Sequence, residues 1–258
     1  MTREIIINEL ENRGYRAETQ NTIKNGVELE GIRILTNSNV APVIYTEDII
    51  ERAESENKSL DDVVSVIIGI YESHKSFEFD VEALFNRDFI LSHLYIGLQK
   101  DSTENIAKRT CEFEGIESYL YIRGEVGKDD SYSVKMSKEI LNRAEISEDE
   151  AWEVAEQNTN AETSLEGFGR MTPFYVISNK SKVKGASAVL NKEVLAEFRK
   201  RYNTDKIVVL PSSIHEMLLL PYIEGIDLDA FSDMVRQVNS SGVDPTEQLA
   251  DRAFIITI

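Results

Sequence analysis

The sequence predicts an α+β fold built on largely antiparallel sheets with packed helices. Three observations carry that expectation. Strand-like and helix-like stretches follow one another without a regular βαβ alternation. Lys24, Asn25 and Gly26 separate two strand-like runs, which is a strong hairpin signal. The most apolar part of the chain, residues 208–210 and 217–220, is two short strand-sized runs with Pro211 and Pro221 at their ends.

In chain order, residues 4–13 read as a helix, with Ile5, Ile6 and Leu10 at helical spacing and Gly14 just past the end. Residues 15–23 and 27–35 are the hairpin strands, 36–39 a turn, and 40–45 a further strand whose Pro42 suggests an edge. Thr46 is the expected N-cap of a helix over 47–53, with Glu47 and Asp48 at its positive end. Ser59 caps the next helix, 60–71, which is apolar on most sides and so expected to be buried. Asp80 caps a short helix to 85, and 89–99 reads as a strand carrying His93. A strand over 119–123, a loop over 124–130 and a strand over 131–136 follow, the last entering a helix through Ser137. Ser147 with Glu150 makes a capping-box pattern at the start of a helix to 158.

Residues 160–172, with Gly167 and Gly169, read as a linker. Two domains are therefore expected: an acidic N-terminal α+β region, 1–164, and a C-terminal α+β unit, 165–258. The second holds a strand over 174–178, a basic turn over 179–185, a strand over 186–190 and a helix over 192–202. The two apolar strands come next, joined by a turn at Pro211, Ser212 and Ser213. A helix from Asp227 or Asp229 to 238, a turn at 244–247 and a strand over 254–258 close the chain. Residues 43–50, 134–141 and 188–195 share one form: a strand, a capping Thr46, Ser137 or Asn191, two charged residues and two aliphatics. A duplication produces such repeated strand-to-capped-helix units, and so does the convergence of any strand that enters a capped helix.

Charge is unevenly placed. Residues 1–164 hold 34 acids against 17 bases, while 170–206 hold nine bases against three acids. A net charge of −18 disfavours direct binding to nucleic acid, whose phosphates demand bases. It permits an acidic face that imitates nucleic acid toward a basic partner, or simply a solvated surface. No apolar run reaches the roughly 18 residues of a membrane helix, and the N-terminus lacks a signal-peptide core. A single cysteine, Cys111, allows no internal disulfide, so a cytoplasmic location is expected.

One place gathers reactive side chains in an apolar setting: Ser212, Ser213, His215 and Glu216. A hydrolase would use Ser213 as nucleophile, His215 as base and Glu216 to orient it. Neighbours on one strand are not arranged that way, and no nucleophile elbow is present. The alternative is a turn whose polar groups satisfy the backbone. His74 reads as a helix-terminal cation and His93 as a hydrogen-bonded strand residue. Cys111 reads as a small core residue. The histidines and Cys111 have no metal-ligand spacing, and no phosphate-binding loop is present, so no metal or cofactor is expected.

The segment Leu210, Pro211, Ser212, Ser213, Ile214, His215, Glu216 resembles part of an uncharacterised bacterial domain-of-unknown-function family. Residues 34–42, 176–186, 234–239 and 249–251 resemble it too, so the likeness runs through nearly the whole chain and departs only at 253–258. Residues 136–141 and 150–158 are also similar to a second uncharacterised family. The resemblance implies a bacterial, cytoplasmic protein and supplies no activity, cofactor or catalytic residue. The expectation is a non-catalytic binding or regulatory protein that acts through contacts with another protein. An acidic, nucleic-acid-mimicking antagonist of a nuclease or restriction system is one alternative. A hydrolase centred on Ser213 and His215 is the other.

Overall fold

Ile6 and Leu10 recur on one side of α1 (Arg3–Asn12) and are fully buried. The chain leaves α1 through Gly14, at φ 87°, into the hairpin of β1 (Ala17–Lys24) and β2 (Val27–Ile34). Asn25 and Gly26 both take positive φ, 52° and 77°, which the tight turn between right-twisted strands requires. β3 (Val43–Tyr45) adds to β2, and α2 (Glu47–Ser55) and α3 (Leu60–His74) close a core of Ile6, Leu10, Ile32, Ile44, Val64 and Ile67. The computed structural model describes residues 1–36, 41–74, 80–126, 130–167 and 173–258. The expected turn residues Asn37, Ser38 and Asn39, the strand start at Val40 and the linker's Gly169 lie outside these.

Two expectations here are corrected. Thr46 precedes α2 but makes no side-chain cap, because its buried hydroxyl accepts a hydrogen bond from Arg3 at 3.0 Å. α3 buries only one stripe, Val63, Val64 and Ile67, and leaves Val66 half exposed. Ser59 does cap α3: its hydroxyl accepts the Asp62 N–H at 3.2 Å while its own N–H reaches the Asp62 carboxylate.

After a 3₁₀ turn (Val81–Phe85), α4 (Arg87–His93) leads into β4 (Leu94–Lys100). The single strand expected over 89–99 is thus a helix followed by a strand, and His93 ends the helix. Asn86 explains this, since its side chain accepts the Phe89 N–H at 3.0 Å and so nucleates a first turn. β5 (Lys108–Thr110), β6 (Ile116–Val126) and β7 (Asp130–Lys135) complete an antiparallel sheet with β6 at its centre. Gly124, expected in a loop, lies inside β6 with the Tyr132 ring packed where a Cβ would stand. α5 (Lys138–Arg143) and α6 (Glu148–Ala161) are capped by Ser137 and Ser147 as expected, and cover one sheet face with α4.

A second antiparallel sheet runs β12-β10-β11-β9-β8. Its strands are β8 (Thr163–Gly167), β9 (Tyr175–Asn179), β10 (Lys206–Ser213), β11 (Glu216–Pro221) and β12 (Phe254–Thr257). α7 (Lys192–Tyr202), capped by Asn191, precedes β10, and α8 (Leu228–Gly242), capped by Asp227, follows β11. β10 is buried on both faces: Ile207 and Val209 enter one core, Val208 and Leu210 the other, under α8. That double burial is why this run is continuously apolar.

The strand expected over 186–190 is a 3₁₀ helix (Gly185–Leu190), whose small residues lie buried against β9 and β11. The third of the three similar units therefore has no strand before its cap. The turn expected at Pro211 to Ser213 is also displaced. β10 continues to Ser213, Ser213 faces Glu216, and Ile214 and His215 form the turn. Pro211 is tolerated because β12 pairs only residues 206–209 and the ladder to β11 is irregular between Pro211 and Ser213.

The chain divides into two compact units, Met1–Val81 and Glu82–Ile258. The boundary expected at 164/165 falls inside β8, which pairs with β9 across residues 163–167. Leu98, Phe113 and Ile116 from before that point share a core with Ile177, Val209 and Leu219 from after it, so the larger core of the second sheet spans the expected boundary, and only the smaller one under α8 lies wholly within 165–258.

Candidate functional site

The four expected site residues meet at one hairpin end but not as a catalytic set. The Ser213 hydroxyl accepts the backbone N–H of His215 at 3.1 Å, a local turn bond. The imidazole Nδ1 accepts the backbone N–H of Lys184 at 3.1 Å. The ring proton therefore sits on Nε2, which faces Glu247 Oε1 at 3.2 Å. Both ring nitrogens are committed, and no hydrogen bond joins the ring to Ser212 or Ser213 among the described residues. Glu247, which the sequence reading did not single out, is set by the turn at Asp244, whose carboxylate accepts the Thr246 N–H at 2.8 Å. The Glu247 carbonyl accepts the Ile214 N–H at 2.8 Å.

What His215 does is hold a loop. Its carbonyl accepts the Ser178 hydroxyl at 2.7 Å, and its ring holds Lys184. From the other side, the buried Asn179 side chain donates to the Val183 carbonyl at 2.8 Å and accepts from Val183 N–H and the Ser181 hydroxyl. Between these anchors Lys182 and Lys184 adopt φ of 55° and 53°, left-handed conformations that cost a non-glycine residue roughly 1–2 kcal/mol each. Strain of this kind persists only where the surroundings over-determine it.

The held loop borders a cleft of about 610 Å³ against the β4–β6–β7 sheet. In β6, alternate residues share a face, so Leu120 and Ile122 enter the core while Tyr121 and Arg123 face the cleft. Tyr95 lies opposite Tyr121, and Ser133 opposite Arg123. The Arg123 guanidinium sits 4.0 Å from the centre of the Tyr95 ring and pairs with Glu162 at the end of α6. The other Glu162 oxygen accepts the Tyr95 hydroxyl at 3.0 Å. The Lys184 ammonium lies 5.2 Å from the centre of the Tyr121 ring. Burial raises the Tyr95 phenol and pushes Tyr121 up to about 12, so both are neutral at physiological pH. Burial works most strongly against the Arg123 charge, but the Glu162 hydrogen bond, together with the charges of Glu162 and the two tyrosines, outweighs it and the guanidinium is raised.

Sequence reasoning missed Tyr95, Tyr121, Arg123, Glu162 and Lys184 as one group. The alternation of Tyr119, Tyr121 and Arg123 with Leu120 and Ile122 was the available signal. His93 borders the cleft, with Nδ1 2.9 Å from the Phe89 carbonyl within its own helix. His74 is likewise tied to its helix, 2.8 Å from the Ile70 carbonyl. Cys111 is half-buried, and burial pushes its thiol up, away from the nucleophilic thiolate. Among the described residues no His, Cys, Asp and Glu cluster could hold a metal ion, and no helix is long and apolar enough to cross a membrane.

The fold and site define an α+β protein whose antiparallel sheet carries an aromatic, ion-paired cleft under a braced basic loop. The chain belongs to a family of unknown function, DUF5688, whose model matches residues 2–168 and 161–256. No curated protein and no solved structure matches the chain.

Proposed function

We propose that this is a non-catalytic recognition protein that binds an extended segment of a partner protein along β7, with side chains of that segment entering the adjoining cleft. The observation that carries this reading is the setting of β7. Among the described residues it pairs only with β6, so its other edge is open to a further strand. On β7 the cleft is lined by Ser131 and Ser133, both small and exposed, and by Tyr132, and Ser133 lies opposite Arg123. An added strand obtains affinity from its main chain and specificity from alternate side chains. The commitment of both His215 nitrogens supports a binding role for this region over hydrolysis. The single cysteine, Cys111, supports a reducing, cytoplasmic setting.

Selection from a displayed library of random extended peptides tests the reading. Enriched peptides should bind the protein and fail to bind Ser133→Phe, which fills the path from the edge to Arg123. No enrichment, or equal binding to that variant, contradicts it.

A further inference from the structure

We infer that protonation of His215 releases the loop that borders the cleft, so that this residue is a pH-sensitive latch on the backbone at Lys184. The release follows from the bonds of the ring alone. Its effect on a docked segment rests on the reading of β7 and the cleft as a binding site.

A neutral imidazole has one donor and one acceptor, and His215 uses both. Nδ1 accepts the Lys184 N–H at 3.1 Å, and Nε2 donates to Glu247 Oε1 at 3.2 Å. An imidazolium has two donors and no acceptor. A second proton can enter only at Nδ1, where the Lys184 N–H already points. The two hydrogens would then face each other, and turning the ring over restores no acceptor. The Lys184 N–H must leave its place. The contact with Glu247 survives protonation and becomes a charge-assisted bond. One neighbour of the ring thus favours the neutral form and the other the cation, and the loop hangs on the first.

The charged groups around the ring come from few elements. Glu247 belongs to the turn at 244–247, whose Asp244 carboxylate accepts the Thr246 N–H and hydroxyl. The loop brings Lys182, paired with Glu166, and Lys184, whose ammonium lies 5.2 Å from the centre of the Tyr121 ring. Glu216 follows His215 in the same hairpin end. β9 and the 3₁₀ helix Gly185–Leu190, which pack beside that end, carry no charged side chain. The His215 side chain is 29% accessible, so protons reach it from solvent. Histidine is the side chain that ordinarily changes charge between about pH 5 and 8.

What the ring lets go is a loop held against its own preference, with Lys182 and Lys184 both left-handed. The anchors on either side do not titrate. Asn179 holds Ser181 and Val183, and the Ile214 carbonyl accepts the Ala186 N–H at 3.2 Å. Release is therefore local, between Asn179 and Ala186, and it displaces Val183 and Lys184 from the cleft that they line.

A nuclear magnetic resonance titration of the full chain between about pH 8 and 5 tests the inference. The Lys184 amide should shift with the same midpoint as the His215 ring carbons, and its heteronuclear NOE should fall at the acid end. His215→Asn places a carboxamide oxygen near the site of Nδ1, without a titrating group, and should keep Lys184 rigid throughout. Glu247→Gln retains an acceptor for the Nε2 proton but removes the charge that favours the cation, so the midpoint should move to lower pH. A ring that titrates while the Lys184 amide stays unmoved and rigid overturns the inference. So does a ring that stays neutral to the end of the range, or equal acid loosening of the loop in His215→Asn. Anisotropy of a peptide enriched from the displayed library then reads the coupling. If a tenth of the molecules keep the loop closed at the acid end, binding there weakens about tenfold, and His215→Asn should show no such loss. Equal binding at both ends, with the loop released, overturns the coupling and leaves the latch standing. Failure of any peptide to enrich overturns the docking reading, and the titration decides the latch without it.

Discussion

At Gly185 the backbone runs so close to its neighbours that a Cβ would stand 2.3 Å from Ser178 Oγ, 2.5 Å from the Asn179 nitrogen and 2.8 Å from the His215 carbonyl oxygen. Two of these atoms are backbone and cannot swing aside. Gly185→Ala should therefore cost about 1–3 kcal/mol, as overpacking does, measured as a lower urea midpoint with an unchanged slope. Glu117 offers a second residue-scale test. Burial raises its carboxyl, but hydrogen bonds from Gln99 and Ser102, both 2.7 Å away, and the Lys108 ammonium outweigh burial and lower it. A carboxyl depressed in the folded state contributes stability that is present above its unfolded value and lost as pH falls through the folded one. Stability should therefore fall on acidification below the ordinary carboxylate range, and Glu117→Gln should flatten that part of the pH profile. A parallel profile for the variant contradicts the role given to Glu117.

Elements divide into those whose signals are local and those decided by packing. The Asn25-Gly26 turn and the caps at Ser59, Ser137, Ser147, Asn191 and Asp227 were legible because each depends on a side chain two or three residues from its partner. Asn191→Ala should cost about 1 kcal/mol, since Asn191 Oδ1 accepts the N–H groups of Glu193 and Val194 at 3.1 and 3.3 Å. Thr46→Val should leave the start of α2 unchanged and act only through the lost hydrogen bond from Arg3; helix content by circular dichroism separates the two. The segments over 89–99 and 186–190 were misread because apolar runs of that length fit a strand or a buried helix equally. The cap at Asn86 was the overlooked local signal for the first. For the second, burial of Ala186, Ala188 and Val189 beneath two strands is tertiary and has no local signature. The candidate site shows the same division. The grouping of Ser213, His215 and Glu216 was visible, but Lys184 and Glu247, which engage the two nitrogens of the ring, are distant in sequence.

For the whole molecule, the α+β class and antiparallel pairing followed from the order of elements, whereas the boundary did not. Gly167 and its polar neighbours looked like a linker but form the edge strand β8. The segment 82–258 should unfold cooperatively when made alone, and 165–258 should not, because Leu98, Phe113 and Ile116 would be missing from its core. Calorimetry of the two fragments checks this. The acidity also has a structural account at one of its densest points. Glu148, Asp149 and Glu150 at the start of α6 pair with Lys138, Arg109 and Arg87 in turn. Exposed pairs of this kind contribute about 0–1 kcal/mol each, so reversing all three acids to Lys should lower the melting temperature by a few degrees.

The central claim is that the open edge of β7 and the loop held by His215 form one recognition surface. Amide hydrogen exchange, with and without a peptide enriched from the displayed library, tests it most directly. Slowing confined to residues 131–135 and 181–184 is the predicted result. Slowing elsewhere, such as along α2 and α3, with these two segments unchanged, would contradict it.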